Sequence, residues 1–161
     1  MTPVDPDSSE SVSNPDTAGR FGFAWLGLTF ALALHVADEA AHDFLSVYNP
    51  SVTAIRQHLP FLPLPTFTFP VWLTGLIFGV LLLLALSPLA FRGNRWIRRL
   101  SYPLAALMFA NGLGHIGGSL YFQNLMPGVW SSPLLLLASA WLFLSARRAG
   151  RVIPENSPRV I

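Results

Sequence analysis

Four apolar stretches, separated by polar or proline-rich segments, constrain this chain more than any other feature. A helix needs roughly 17–25 predominantly apolar residues to cross a bilayer. The stretches fall at about 21–44, 69–91, 100–122 and 129–146, and the first is predominantly apolar only over 21–37. FPVWLTGLIFGVLLLLALSPLAF at 69–91 is unambiguous. Composition points the same way: 52% of residues are hydrophobic and 11% charged, against about 25% charged in soluble domains. So few charges leave too little polar surface to cover a globule in water. The expected fold class is all-α, a four-helix transmembrane bundle, and 161 residues suit a single domain.

The ends differ from the middle. Residues 1–19 carry Asp5, Asp7, Glu10 and Asp16 among prolines and serines. Such a stretch buries too little to offset its ordering entropy and is expected to be a disordered acidic tail. Residues 20–148 form the expected membrane domain and 149–161 a cytoplasmic tail. A secretory leader with an apolar core at 21–34 is disfavoured by the long acidic segment before it.

All ten basic residues are arginines. Arg20 precedes the first stretch; Arg92, Arg95, Arg98 and Arg99 separate the second from the third; Arg147, Arg148, Arg151 and Arg159 follow the fourth. With four crossings these nine share one side, and only Arg56 lies opposite. The excess of arginine on cytoplasmic loops puts both termini in the cytoplasm. The clustering reads as topology, not as a nucleic-acid surface. The absence of cysteine excludes disulfides, thiolate ligands and cysteine nucleophiles. The long outer connection, 45–68, contains Pro50, Pro60, Pro63 and Pro65, and its VTAIRQHL at 52–59 is expected to form one or two turns of interfacial helix.

The first stretch ends in His35-Val-Ala-Asp38-Glu39-Ala-Ala-His42-Asp43. Positions i, i+3, i+4 and i+7 share a helix face, so His35, Asp38, Glu39 and His42 form one stripe. Two imidazoles and two carboxylates are the donors that bind divalent metals where sulfur is absent. The third stretch adds Asn111 and His115, four apart and on one face. Running outward at 1.5 Å per residue, His35 to His42 lie roughly 21–32 Å from the inner start of the first span, and His115 about 22 Å from Leu100. The clusters can therefore meet at one level in the outer half. Gly112, Gly114, Gly117 and Gly118 would admit a neighbouring helix there, and Trp130, Ser131 and Ser132 lie towards the same end. Plainer roles compete: Asp38 and Glu39 as interfacial acids, and His115 as a structural histidine bonded to Glu39.

HVADE at 35–39 on the first of four spans resembles the signature of the bacterial HXXEE membrane proteins. Asn111 and His115, followed by Tyr121-Phe-Gln-Asn-Leu-Met-Pro127-Gly128, extend the resemblance across about 21–146. It implies a small four-span protein of the bacterial inner membrane and these motif positions, and no activity. Asp38 departs from the glutamate of the pattern, and its shorter reach tells against a direct ligand.

The expected function is a metal-dependent hydrolase acting on a membrane lipid or other apolar substrate near the outer leaflet. His35, Glu39 and His115, with His42 as a fourth candidate, would hold one zinc, iron or manganese ion. Asp38 would act as general base or orient a ligand, and Asn111 would orient a ligand or polarise a substrate oxygen. The same residues also suit a metal-free proton-transfer isomerase. Two histidines at matched depth suit a bis-His haem electron carrier, and a non-enzymatic membrane subunit stays open, as does self-association into an oligomer.

Overall fold

The computed structural model describes residues 15–151, which form five helices and no strand. These are α1 (Pro15–Ala41), α2 (Phe44–His58), α3 (Phe69–Phe91), α4 (Arg95–Phe122) and α5 (Ser132–Ala149). The all-α class is as expected. Helix α1 starts ahead of the expected tail boundary, and what remains of both tails, 1–14 and 152–161, lies outside the described residues.

Local chemistry sets the ends of the long helices. Thr68 and Pro70 open α3, the proline's missing N–H falling where no intrahelical partner exists. Asn94 caps α4 by accepting from the backbone N–H groups of Trp96 and Ile97. Gly93 before it has φ 65°, a conformation a side chain would strain.

Helix α1 packs between α3 and α5, and α4 lies along the far side of α5. Phe21, Ala24, Trp25, Leu28 and Ala31 form the buried stripe of α1 against Leu135, Ala138, Leu142 and Ala146 of α5. The alternation of large and small residues lets the helices approach closely. The Trp25 indole N–H donates to the Leu83 carbonyl at 2.8 Å, tying α1 to α3. Gly22 lies beneath the Phe91 ring and Gly27 beneath the Trp141 ring, so neither has room for a Cβ.

These contacts make neighbours antiparallel: Gly22 meets Phe91, Asp38 meets Ser131, and Gly112 meets Leu136. Helices α1 and α4 therefore run the same way. Among the described residues, Arg20, Arg92, Arg95, Arg98, Arg99, Arg147, Arg148 and Arg151 all fall towards one end of the four long helices, and Arg56 falls on α2. Two stretches, Asp16–Ala41 and Phe69–Phe91, are long and apolar enough to cross a membrane. Phe78, Leu81, Leu107 and Leu137 project outward from the bundle, inverting the polarity of a water-soluble surface.

The sharpest differences from expectation lie after Ala41. The first apolar stretch was expected to run to 44 as one helix, but α1 stops at Ala41 and Asp43 turns the chain with φ 52°. Helix α2 then runs for 15 residues, far longer than the turns expected at 52–59. Its start is held by Phe44, whose ring packs 5.7 Å from that of Trp72, and by burial of Leu45 and Val52. Asn49 secures the return path: its side-chain amide donates to the Phe67 carbonyl and accepts from the Phe67 N–H.

Candidate functional site

The last turns of α1, the C-terminal half of α4 and the turn leading into α5 meet at the end of the bundle away from the arginines. His35 and Glu39, one turn apart on α1, enter the interior between α4 and α5. His115 enters from α4. All three are buried. Glu39 Oε1 lies 3.0 Å from His115 Nε2 and 3.5 Å from His35 Nε2. The imidazole rings meet edge to face, with centroids 4.8 Å apart. The matched depth expected of the two clusters is thus realised.

Ser131 fixes the state of His35. Its hydroxyl lies 2.7 Å from Asp38 Oδ2, 2.8 Å from His35 Nδ1 and 3.1 Å from the Gly128 carbonyl. A serine hydroxyl has one proton to donate. The carboxylate is both the closest and the strongest acceptor, so the proton goes to Asp38. His35 Nδ1 must then carry a hydrogen and donate to Ser131 Oγ. In the neutral ring this leaves a lone pair on Nε2, directed at the cluster. That lone pair faces the carboxylate of Glu39, an arrangement that favours a cation, or an N–H, between them. Asn111 Nδ2 supplies an N–H at 3.3 Å. A histidine whose outer nitrogen is held by an oxygen and whose inner nitrogen carries a lone pair is arranged as metal-ligating histidines are, and an ion there would take the place of the Asn111 N–H.

The spacing fits an ion. In a tetrahedral site, donors at about 2.0–2.1 Å from zinc lie about 3.3 Å from one another, and the two measured separations bracket this value. The three donor atoms all lie within 4.8 Å of one another, so His35, Glu39 and His115 could hold a metal.

His42 does not join them. The chain turns immediately after it, and its side chain is about half exposed. His42 Nδ1 lies 2.9 Å from both the carbonyl oxygen and the Oδ1 of Asp38. Asp38 is not a member of the donor group either. Its Oδ2 accepts from the Ser131 N–H and hydroxyl while its Oδ1 faces His42. The orienting role expected for it, and not direct ligation, is what this geometry supports.

Gly128 was legible only as part of a motif, and Ser131 only as a residue at the right depth. Gly128 has φ +84°, and a Cβ there would lie 2.9 Å from His35 Cε1, 3.0 Å from His115 Cε1 and 3.1 Å from Glu39 Cγ. Its backbone therefore roofs the cluster, and both the conformation and the crowding require glycine. Met126 anchors this roof: its sulfur fills the space left by Gly118, and its N–H donates to Ser119 Oγ at 2.9 Å. Glu39 and this backbone pack against both imidazole rings, whose centroids are 4.8 Å apart.

All three polar positions of the HVADE segment thus converge on one network, together with Asn111, His115 and Gly128. A family model described as a protein of unknown function with HXXEE motif matches residues 21–142. The chain belongs to the HXXEE family. No curated protein and no solved structure matches it. In this HXXEE protein the first and last letters of the motif place His35 and Glu39 close enough to His115 to hold a metal, and the fourth position, here Asp38, bonds to His35 through Ser131.

Proposed function

We propose that this HXXEE protein is a small multi-pass protein of the bacterial inner membrane, with both termini cytoplasmic. Its outer-half cluster would bind one divalent ion, zinc, iron or manganese, and hydrolyse an apolar or lipid-like substrate. Helices α1, α3, α4 and α5 are the proposed crossings, and α2 lies along the outer surface. Support for this topology comes from the arginine-rich end of the bundle and from the apolar side chains around its girth.

The convergence of His35 Nε2, Glu39 Oε1 and His115 Nε2 from two helices carries the reading. Three protein ligands leave a fourth position for water, the pattern of catalytic zinc sites. The chemistry such an ion supplies is Lewis-acid activation of that water near neutral pH. Within the chain, Ser131 and Asp38 hold the His35 tautomer, and the Asn111 amide, 3.3 Å from His35 Nε2, would be released by a bound ion to meet a substrate oxygen.

The buried Nδ1 of His115, which has no hydrogen-bond partner among the described residues, favours a second reading. A His115 ring that carries its hydrogen on Nε2 donates it to Glu39 at 3.0 Å and leaves only a lone pair unpartnered. His115 and Glu39 are then an acid–base pair for a metal-free proton transfer.

Hydrolysis of a long-chain p-nitrophenyl ester by protein in phosphatidylcholine vesicles, with zinc, manganese or iron(II) supplied, tests the first reading. Nitrophenolate release should require the metal and fall by at least about 100-fold in Glu39→Gln, the scale on which lost electrostatic groups act. No release from the metal-loaded protein, or an unchanged rate in Glu39→Gln, would sink it.

A further inference from the structure

The roof over the cluster has a second face. Its outer side, with the turn after α1 and the start of α2, encloses a pocket of about 490 Å3, within the range of small-molecule sites. His42, Ser46 and Asn124 provide its polar edge; Leu125, Met126 and Trp130 are among its apolar walls. Among the described residues, no arginine and no carboxylate line it.

The polar edge has a definite hydrogen-bonding character. His42 Nδ1 faces two acceptors on Asp38, so that nitrogen carries the hydrogen. In the neutral ring Nε2 is then an acceptor, and it has no partner among the described residues. Ser46 donates its hydroxyl hydrogen to the Asp43 carbonyl at 2.8 Å, leaving lone pairs. These two residues therefore ask for donors. Asp38 already meets His42 Nδ1 and the N–H and O–H of Ser131, so its charge is accommodated without a ligand. A cationic head would find no free carboxylate in the lining, and an anionic head no guanidinium. What remains is an uncharged head bearing hydroxyls, attached to an apolar tail that lies along Leu125, Met126 and Trp130.

We propose that this pocket binds the hydroxyl-bearing head of a neutral single-chain amphiphile, of the long-chain alcohol or monoacylglycerol class. His42 Nε2 accepts from the ligand, and Asp38 is the positioning residue that fixes the ring. The chain His42–Asp38–Ser131–His35 connects the pocket wall to the cluster, with the 126–128 backbone between the two. Binding stands apart from the metal reading; only the step from ligand to substrate rests on it.

Photo-crosslinking in phosphatidylcholine vesicles provides the test. Probes would share one diazirine-bearing acyl chain and differ in head: glycerol, phosphate or quaternary ammonium. The glycerol probe should label peptides containing 42–47 and 124–130 most strongly. His42→Leu should lower that labelling about tenfold, the effect of one lost hydrogen bond. His42→Gln, whose amide oxygen also accepts, should restore part of it. Helical content of each variant, read by circular dichroism, guards against misfolding. Equal labelling by the three probes, preference for either charged head, labelling confined to other peptides, or no effect of His42→Leu in a folded protein would each overturn the proposal. Metal content of the same preparations separates the two ideas. Labelling without metal keeps the pocket and removes the hydrolase; metal without labelling does the reverse.

Discussion

Ser131 determines which nitrogen of His35 faces the cluster, so it should matter more than its size implies. Ser131→Ala removes the acceptor for His35 Nδ1 and one donor to Asp38. An unsatisfied buried N–H costs about 1–3 kcal/mol, and loss of a group that orients a metal ligand typically lowers affinity about 10–100-fold. Thermal unfolding and metal titration of the purified variant would check both. Gly128→Ala adds a Cβ at φ +84° among His35, His115 and Glu39. Overpacking and strain of this kind cost roughly 1–3 kcal/mol each, so the expected result is a clear drop in melting temperature together with weaker metal binding. Sequence reasoning reached His35, Asp38 and Glu39 because helical spacing alone puts them on one face. It reached Asn111 and His115 because polar groups inside an apolar stretch need partners. It assigned no role to Ser131 and Gly128: both act from a turn whose shape depends on packing against α1 and α4. His42 was placed with the ligands by extending the helical period one residue past the end of α1.

At the scale of elements, the outer connection is where expectation and structure differ most. The connection 45–68 reads as one or two turns of helix at 52–59 within a proline-rich segment. Helix α2 passes through Pro50 because burial of Leu45 and Val52 and the contacts of Phe44 hold the turns on either side of that proline, and local sequence carries no trace of those partners. The Asn49 clamp on Phe67 should be the main tie of the Pro-rich return. Asn49→Ala is expected to leave α1 and α3–α5 intact while protection of the Phe67 amide against hydrogen exchange falls about tenfold, as loss of a hydrogen bond predicts. Unchanged protection would show that the segment is held elsewhere. The span at 69–91, by contrast, coincides with α3 end to end, since an uninterrupted apolar run between Thr68 and Arg92 leaves few other choices.

At the scale of the molecule, the arginines and the cluster lie at opposite ends of the long helices. Four apolar stretches imply the proposed four crossings, the arginines orient them, and such a topology requires neighbouring long helices to run antiparallel. Because the chain has no cysteine, single cysteines report topology cleanly. Gln57→Cys on α2 should react with a membrane-impermeant maleimide in intact cells, whereas Arg92→Cys should react only after permeabilisation. The opposite pattern, or equal reactivity, would contradict the orientation that follows from the arginines.

The metal reading rests on the convergence of His35, Glu39 and His115, and the metal content of purified protein tests it most directly. Protein supplied with zinc, iron or manganese and dialysed should retain about one equivalent of a divalent ion, as a single three-ligand site requires. The folded His115→Ala variant should retain none. Wild-type protein that keeps no metal, or a variant that keeps as much as wild type, would contradict the account and leave the Glu39–His115 pair as an acid–base couple.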